Sequence, residues 1–477
     1  MKKKIGIMTA SIAMAGAMAV SIGLTGCSKT KIYDFNMPEG GFDTETPVEI
    51  MFYNTMGQNF VTIFEDAISR FQTLYPNITV NYDRSSGDYD TLRDKIATEI
   101  QAGVQPNLAF CYPDHVALYN QSGVVLPLDD FLPDGAFGDM TVKNTEGTES
   151  LGLSKNQVND YISTYFNEGK QFEDGKLYTL PFAKSTEVLY YNKSFFEEHS
   201  DVLTEPTDKM TWEDIFETCR KIKEIDKDCV PLGIDSESNL FITLCEQYES
   251  KYTSASGKHY LFNNATNKAF VQKFKDWYGE NLFTTETINK SYTSNLFKEK
   301  KSYLSIGSSA GAQYQAPDTT DGAGAFEVGI VTIPQVNPDK PKSISQGPSL
   351  CIFKQQNPQE VLASWLFAKF ITTDLEFQAL YSMQSGYVPV INSAFENAAY
   401  KAHLAKASGY KSGITAFAAN VCKELVEKKA YYVSPAFLGS SKARDEVGTL
   451  MVAAITGAKT IDKAFADAIE ECEYFAG

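Results

Sequence analysis

The segment Gly307-Ser308-Ser309-Ala310-Gly311 has the GxSxG spacing of a nucleophile elbow and follows the strand-like run YLSI. A serine in such a turn attacks an acyl carbon only when a histidine takes its proton and an acid orients that histidine. The one histidine downstream is His403, in a Lys/Ala-rich helical stretch, and His115, His199 and His259 are equally isolated. A surface serine hydrolase using Ser309 is therefore the alternative reading of this motif. Its small residues also suit a loop that lets backbone approach a ligand closely. The carboxylate pairs Asp129-Asp130 and Glu197-Glu198 could supply acid and base for glycoside cleavage, but in an acidic chain such pairs are ordinarily a solvated face. No Walker A, HExxH, GxGxxG or EF-hand pattern occurs and no His/Cys group has zinc spacing, so neither a cofactor nor a metal ion is expected.

A second set of residues is suited to binding without bond breaking. Tyr53-Asn54, Tyr89, Tyr112, Tyr190-Tyr191, Tyr387 and Tyr431-Tyr432 each fall at the end of a predicted strand or in a loop. The C–H faces of a pyranose stack on tyrosine rings while its hydroxyls take directed hydrogen bonds from amides and phenols. Most of the 26 tyrosines serve as ordinary amphipathic surface and core, and a minority line a site.

The elements that must position these residues are legible as periodicity. PVEIMFYNT reads as a strand, and Phe60, Ile63, Phe64, Ala67, Ile68, Phe71 and Leu74 fall on one helical face. Pro76-Asn77 breaks that pattern, ITVNY resumes as a strand, and Leu92, Ile96 and Ile100 form a second helical set closed by Gly103 before the strand LAFCY. Strand alternating with helix predicts an α/β domain with a largely parallel sheet. A second α/β region follows, with Thr211 as N-cap and Asp214 three residues on. Short strands return near residue 300 (YLSIG, FEVGIVTIP, SLCIF), and the chain from about Pro358 is mainly helical. No Pro/Gly/Ser-rich linker divides residues 47–477, which fits two interleaved lobes.

The 477 residues carry a formal charge of −17, which argues against a nucleic-acid partner. With 43% hydrophobic and 13% aromatic residues the chain can build two or three cores. At the N-terminus, Lys2, Lys3 and Lys4 precede an apolar run from Ile5 to about Leu24, the pattern of a secretory signal over 1–26. It ends in Leu24-Thr25-Gly26-Cys27, which resembles the lipobox of bacterial lipoproteins, with Cys27 as the lipidated first residue of the mature chain. Residues 27–46 read as a lipidated tether, so the protein is expected outside the cytoplasm, anchored to the cell membrane by acyl chains. The seven further cysteines contain no CxxC and sit mostly in apolar runs, which favours reduced thiols in the core, with Cys219 and Cys229 open as a pair.

Three segments, PFAKSTEVLYYNKSFFEE (181–198), TWEDIFETCRKIKE (211–224) and SGYVPVINSAF (385–395), resemble the family 1 extracellular solute-binding proteins of ABC importers. The resemblance runs over residues 47–475. It implies a two-lobe α/β periplasmic-binding-protein fold with interleaved lobes joined by hinge strands: 47–184 plus 306–354 as the N-terminal lobe and 185–305 plus 355–477 as the C-terminal one. Crossings would lie near Pro181–Thr186, near Ile306–Ser309 and just after Phe353. It further implies a non-enzymatic protein whose partners are a small-molecule carbohydrate and the permease subunits of a membrane transporter; a receptor that passes a closed-state signal to a membrane sensor kinase is a competing reading. The chain is similar to the maltose and glycerol-3-phosphate branch. The glycerophosphate binders' pocket positions carry over to Tyr89, Asp114, Ser185, Ser308 or Ser309, Gly347 and Tyr387. Asn54 and Phe241 join the candidates, Phe241 with Tyr387 as a stacking surface. That branch also holds phosphate with an arginine of a late loop, and the stretch YYVSPAFLGSSKARD has none before Arg444, which falls later than the motif. A neutral mono- or oligosaccharide is therefore expected, with a glycerol-3-phosphate or glycerophosphodiester ligand as the alternative and Lys184 as the cation it would use.

Overall fold

A computed structural model of the chain describes residues 34–476 apart from 321 and 323, so the secretory signal and Cys27 lie outside the described residues. Two five-stranded sheets organise it. The first runs Ile78–Asp83, Val48–Tyr53, Leu108–Cys111, Ser349–Ile352 and Leu180–Pro181. Its first three strands are parallel, as strand–helix–strand connections require, and Ser349–Ile352 returns antiparallel to Leu108–Cys111. The crossover helix Val61–Leu74 buries Phe64, Ala67, Ile68 and Phe71, all on the face that the spacing predicts. Helix Tyr89–Ala102 is capped by Asp88 and closed by Gly103 at φ 72°, a left-handed position that favours glycine. Ring packing of Phe52 on Phe110 and Phe367 fixes the sheet to its covering helices.

The second sheet runs Val328–Thr332, Glu187–Asn192, Leu304–Ser308, Leu232–Ile234 and Phe283–Thr285. The reciprocal capping box of Thr211 and Asp214 opens helix Trp212–Ile225, whose buried face carries Trp212, Ile215, Phe216, Cys219 and Ile222. Phe216 stacks on Trp277 at 3.8 Å in the centre of that lobe's core. All seven cysteines among the described residues are free and buried, Cys219 and Cys229 included. No helix among the described residues is long and apolar enough to cross a membrane.

The chain divides between the sheets differently from the expected ranges. Strand Leu304–Ser308 lies inside the second sheet, antiparallel to Glu187–Asn192 and parallel to Leu232–Ile234, and Val328–Thr332 forms its edge. Residues 306–332 therefore belong with the second lobe, because their hydrogen bonds are spent there. The crossing expected near Ile306–Ser309 is replaced by one at residues 345–348, where the chain returns to the first sheet. After residue 355 the chain does not stay in the second lobe either. Helix Pro358–Thr373 packs on strand Val48–Tyr53, with Trp365 stacked on Phe131 at 4.4 Å. Helix Ile414–Glu427 covers Val328–Thr332, and among the described residues the second core takes Tyr432, Phe437 and the helices Ser440–Ile455 and Ile461–Ala476 from this part of the chain. The expected tether is shorter too: Phe35 contacts Phe131 and Phe137, Phe42 meets Tyr75, and Asp43 accepts from Thr46 while its N–H donates to Gln359.

Two of the crossings are tied together. Ser185 pairs with Gln346 and Lys184 with Val388 as isolated bridges between segments. Beneath them the fully buried Lys184 places Nζ 2.9 Å from Glu168 Oε1, and donates to Ser349 Oγ at 3.0 Å and to Gly347 O at 3.1 Å. Ser345 Oγ donates to Glu168 Oε2 at 3.0 Å, so one carboxylate holds both strands of the hinge. Gly347 sits at φ +93°, and a Cβ there would stand 2.3 Å from Ala183 O. Breaking the pair by Lys184→Met or Glu168→Gln leaves a buried charge uncompensated and is expected to cost about 3–5 kcal/mol in urea unfolding. A Lys184→Met/Glu168→Gln double variant should lose much less than the sum of the single losses; additive losses would show that the pair is not coupled.

Candidate functional site

Between the two sheets lies a cleft of about 770 Å³. The first lobe contributes the loop Thr55–Gly57 after strand Val48–Tyr53, together with Phe60 and Tyr89 at the start of helix Tyr89–Ala102. The helix Leu375–Ser385 and the turn after it bring Tyr381, Ser385 and Tyr387. The second lobe contributes Glu187, Asp235, Ser236, Asn239, Glu286, Tyr292, Ser308 and Gln315. The cleft continues past Tyr89 and Ser236 into a side chamber of about 310 Å³ that also holds Arg93, Tyr112, Asp114, Ser238, Arg444 and Asp445.

The aromatic wall is continuous: Tyr89 lies 4.9 Å from Tyr112, and Tyr381 stacks toward Tyr387 at 6.3 Å. Opposite it a fixed polar relay crosses the floor. Ser236 caps helix Glu237–Gln247 by accepting from Asn239 N, which orients the Asn239 side chain into the cleft. Asn239 Nδ2 donates to Glu187 Oε1 at 2.9 Å, and its Oδ1 accepts from Arg444. Arg444 faces Asp114 across the side chamber, and Arg93 reaches Asp445 at 3.7 Å, so the two lobes attract one another on this side. Burial pushes the Glu187 carboxyl up to about 7, with Asn239 and Arg444 opposing the rise.

The expected site residues fall into two groups. Tyr89, Ser308 and Tyr387 line the cleft, and Asp114 lines the side chamber. Asn54 is buried behind the wall, where its Oδ1 accepts from Met56 N and shapes the loop that does line it. Ser185 and Gly347 are hinge residues: Ser185 is 2% exposed and Gly347 O is held by Lys184. Ser309 is fully buried, with its Oγ accepting from Thr186 N and its N–H donating to Thr186 O, so it presents no nucleophile to the cleft. Phe241 offers no stacking face to a ligand, because it is buried in the second core between Phe262, Phe270 and Phe465. Lys184 is committed to Glu168 and reaches no ligand. Arg444, which the sequence places too late for the motif, is in the side chamber: a six-residue turn after Val433 leads into helix Ser440–Ile455, which carries it there. Glu187, Asp235, Asn239 and Glu286 were not singled out. Glu187, Asp235 and Glu286 begin or follow short apolar strands, which distinguishes them from no other strand end, and Asn239 lies inside helix Glu237–Gln247 with no such signal.

A profile of the bacterial extracellular solute-binding proteins matches residues 66–407, and the chain belongs to that family. It is 19% identical over 361 residues to the maltotriose-binding protein of Pyrococcus abyssi, covering 73% of this chain and 68% of that one. Its fold is that of UgpB from Mycobacterium tuberculosis, solved with glycerophosphocholine, at a TM-score of 0.71 and 17% identity over 90% of this chain and 98% of that one. The GacH receptor of Streptomyces glaucescens, solved unliganded and with acarbose, gives a TM-score of 0.65 at 15% identity over 90% and 99%.

The raised Glu187 carboxyl makes stability depend on pH. Between its ordinary value of 4.5 and about 7 the folded protein keeps a proton that the unfolded chain has released, so stability falls as pH rises through that window. The loss from this group is on the order of 3 kcal/mol. Urea unfolding of the ligand-free protein at pH 5 and pH 8 should show this difference, and Glu187→Gln should abolish most of it; an unchanged difference would exclude Glu187 as its source.

Proposed function

We propose that the protein is the substrate-binding lipoprotein of an ABC importer, held at the cell membrane through Cys27, and that it captures a neutral mono- or oligosaccharide by closing its lobes about the hinge. The observation that carries this reading is the make-up of the cleft. Tyrosine rings from the first lobe face carboxylates and amides from the second, in a volume suited to more than one sugar ring. Rings stack on the C–H faces of a sugar, and carboxylates accept from its hydroxyls. Lys298 is the one cation among the described residues lining that main cleft, against Glu187, Asp235 and Glu286, so the field there repels a phosphate. The maltotriose-binding protein of Pyrococcus abyssi supports a saccharide for this chain. Ligand binding favours the closed state and breaks no bond.

A second reading rests on Arg444. Its place in the side chamber offers the cation whose absence argued against a glycerophosphodiester, and the solved complex of UgpB with glycerophosphocholine supports such a ligand. Against it, Asn239 already accepts from the guanidinium and Asp114 opposes its charge.

Thermal-shift measurements separate the two. At 100 times its dissociation constant a ligand adds about 2.7 kcal/mol of stability. Maltotriose or a related oligosaccharide should raise Tm by a few degrees, and Tyr387→Ala should remove that shift. A shift with glycerophosphocholine alone, lost in Arg444→Met, would transfer the assignment to the second reading.

A further inference from the structure

One wall of the cleft is more acidic than recognition of hydroxyl groups requires. Four adjacent strands of the second sheet present their cleft-side ends in a row. Glu187 pairs with Ser308, Ile306 pairs with Ile234 just before Asp235, and Ile234 pairs with Thr285 just before Glu286. With strands about 4.8 Å apart, Asp235 and Glu286 are immediate neighbours and Glu187 stands two strands away.

Two further observations bear on the Asp235 end of this row. A Cβ on Gly307 would meet Asp235 Oδ2 at 2.7 Å and Gln315 Nε2 at 3.2 Å, so the glycine leaves room for both side chains to lie over the strand. Gln315 is 2% exposed and lines the cleft, and its Oε1 has no hydrogen-bond partner among the described residues. An acceptor this deeply buried is costly unless a donor reaches it.

We propose that Asp235, Glu286 and the Gln315 carbonyl form a subsite for a cationic nitrogen, a protonated amine carried by the saccharide, so that the cleft selects an amino sugar over its uncharged counterpart. This rests on the saccharide reading above and replaces one hydroxyl of that ligand by an ammonium group. The ammonium donates to three acceptors at once, the number of its N–H groups. Burial and neighbouring carboxylates push Asp235 and Glu286 above their ordinary values, which a cation beside them would reverse.

Calorimetric titration of the full mature chain tests this with glucosamine dimers and trimers, their N-acetylated forms, glucose oligomers of the same length, and glycerophosphocholine. The amine-bearing oligomer should bind at least about tenfold more tightly than its N-acetylated twin. Asp235→Asn combined with Glu286→Gln should bring that ratio to about one, and Gly307→Ala, which fills the space under Asp235 and Gln315, should also lower it. Unliganded melting temperatures check that the variants fold. Equal binding of amine and N-acetyl forms would overturn the subsite and leave the saccharide reading standing. Binding of no saccharide would overturn both. Binding of glycerophosphocholine alone would likewise overturn both, since its quaternary ammonium has no N–H to donate to the three acceptors.

Discussion

The buried ion pair of Lys184 and Glu168 is the constraint on which the two-lobe arrangement depends. Neither charge has access to water, so each is tolerable only while the other stays in place. Through Gly347, Ser349 and Ser345 the pair takes in the second crossing of the chain, and through the backbone of Lys184 it is bridged to Val388. Three segments far apart in sequence thus meet at one charged point. The lobes can move about it only by bending the segments on either side.

That point also sets where the cleft residues stand. Ser185 and Thr186 continue directly into strand Glu187–Asn192, so the hinge fixes the height of Glu187 at the start of the strand. Thr186 in turn is bonded to Ser309, which places Ser308 beside Glu187 in register. The GxSxG segment therefore acts as a structural coupling: one serine is spent on the hinge, the other faces the cleft, and Gly307 makes room for side chains from two neighbouring elements. On the first lobe Tyr387 follows a left-handed turn at Gly386, φ 74°, that ends helix Leu375–Ser385 and directs the chain toward the hinge. The walls of the cleft are extensions of the hinge.

Charge divides the cleft in a way that its overall acidity does not reveal. The side chamber joins Arg444 and Arg93 to Asp114 and Asp445 across the lobes, while the main cavity concentrates carboxylates on its second-lobe wall. Opposite charges across the side chamber draw the lobes together, and like charges in the main cavity give a ligand with donors something to satisfy. The family membership says that the chain binds a solute. The distribution of these charges is what supports a choice among solutes.

The sequence by itself determined the elements and the class of fold. Helix faces at Phe64–Phe71, the capping box at Thr211 and the left-handed stop at Gly103 follow from local spacing, because each is decided by residues within one or two turns. The family resemblance and the placement of tyrosines at element ends single out Tyr89 and Tyr387, and both line the cleft. Tertiary structure alone decided the rest. Whether Leu304–Ser308 joined the first sheet or the second depended on pairing with a strand more than a hundred residues away. Phe241 and Ser309 look like site residues in the sequence, yet burial removes both from the cleft. Arg444 looks too late in the chain, yet a helix returns it. Burial, pairing and return are properties of distant contacts, and spacing along a chain carries no measure of them.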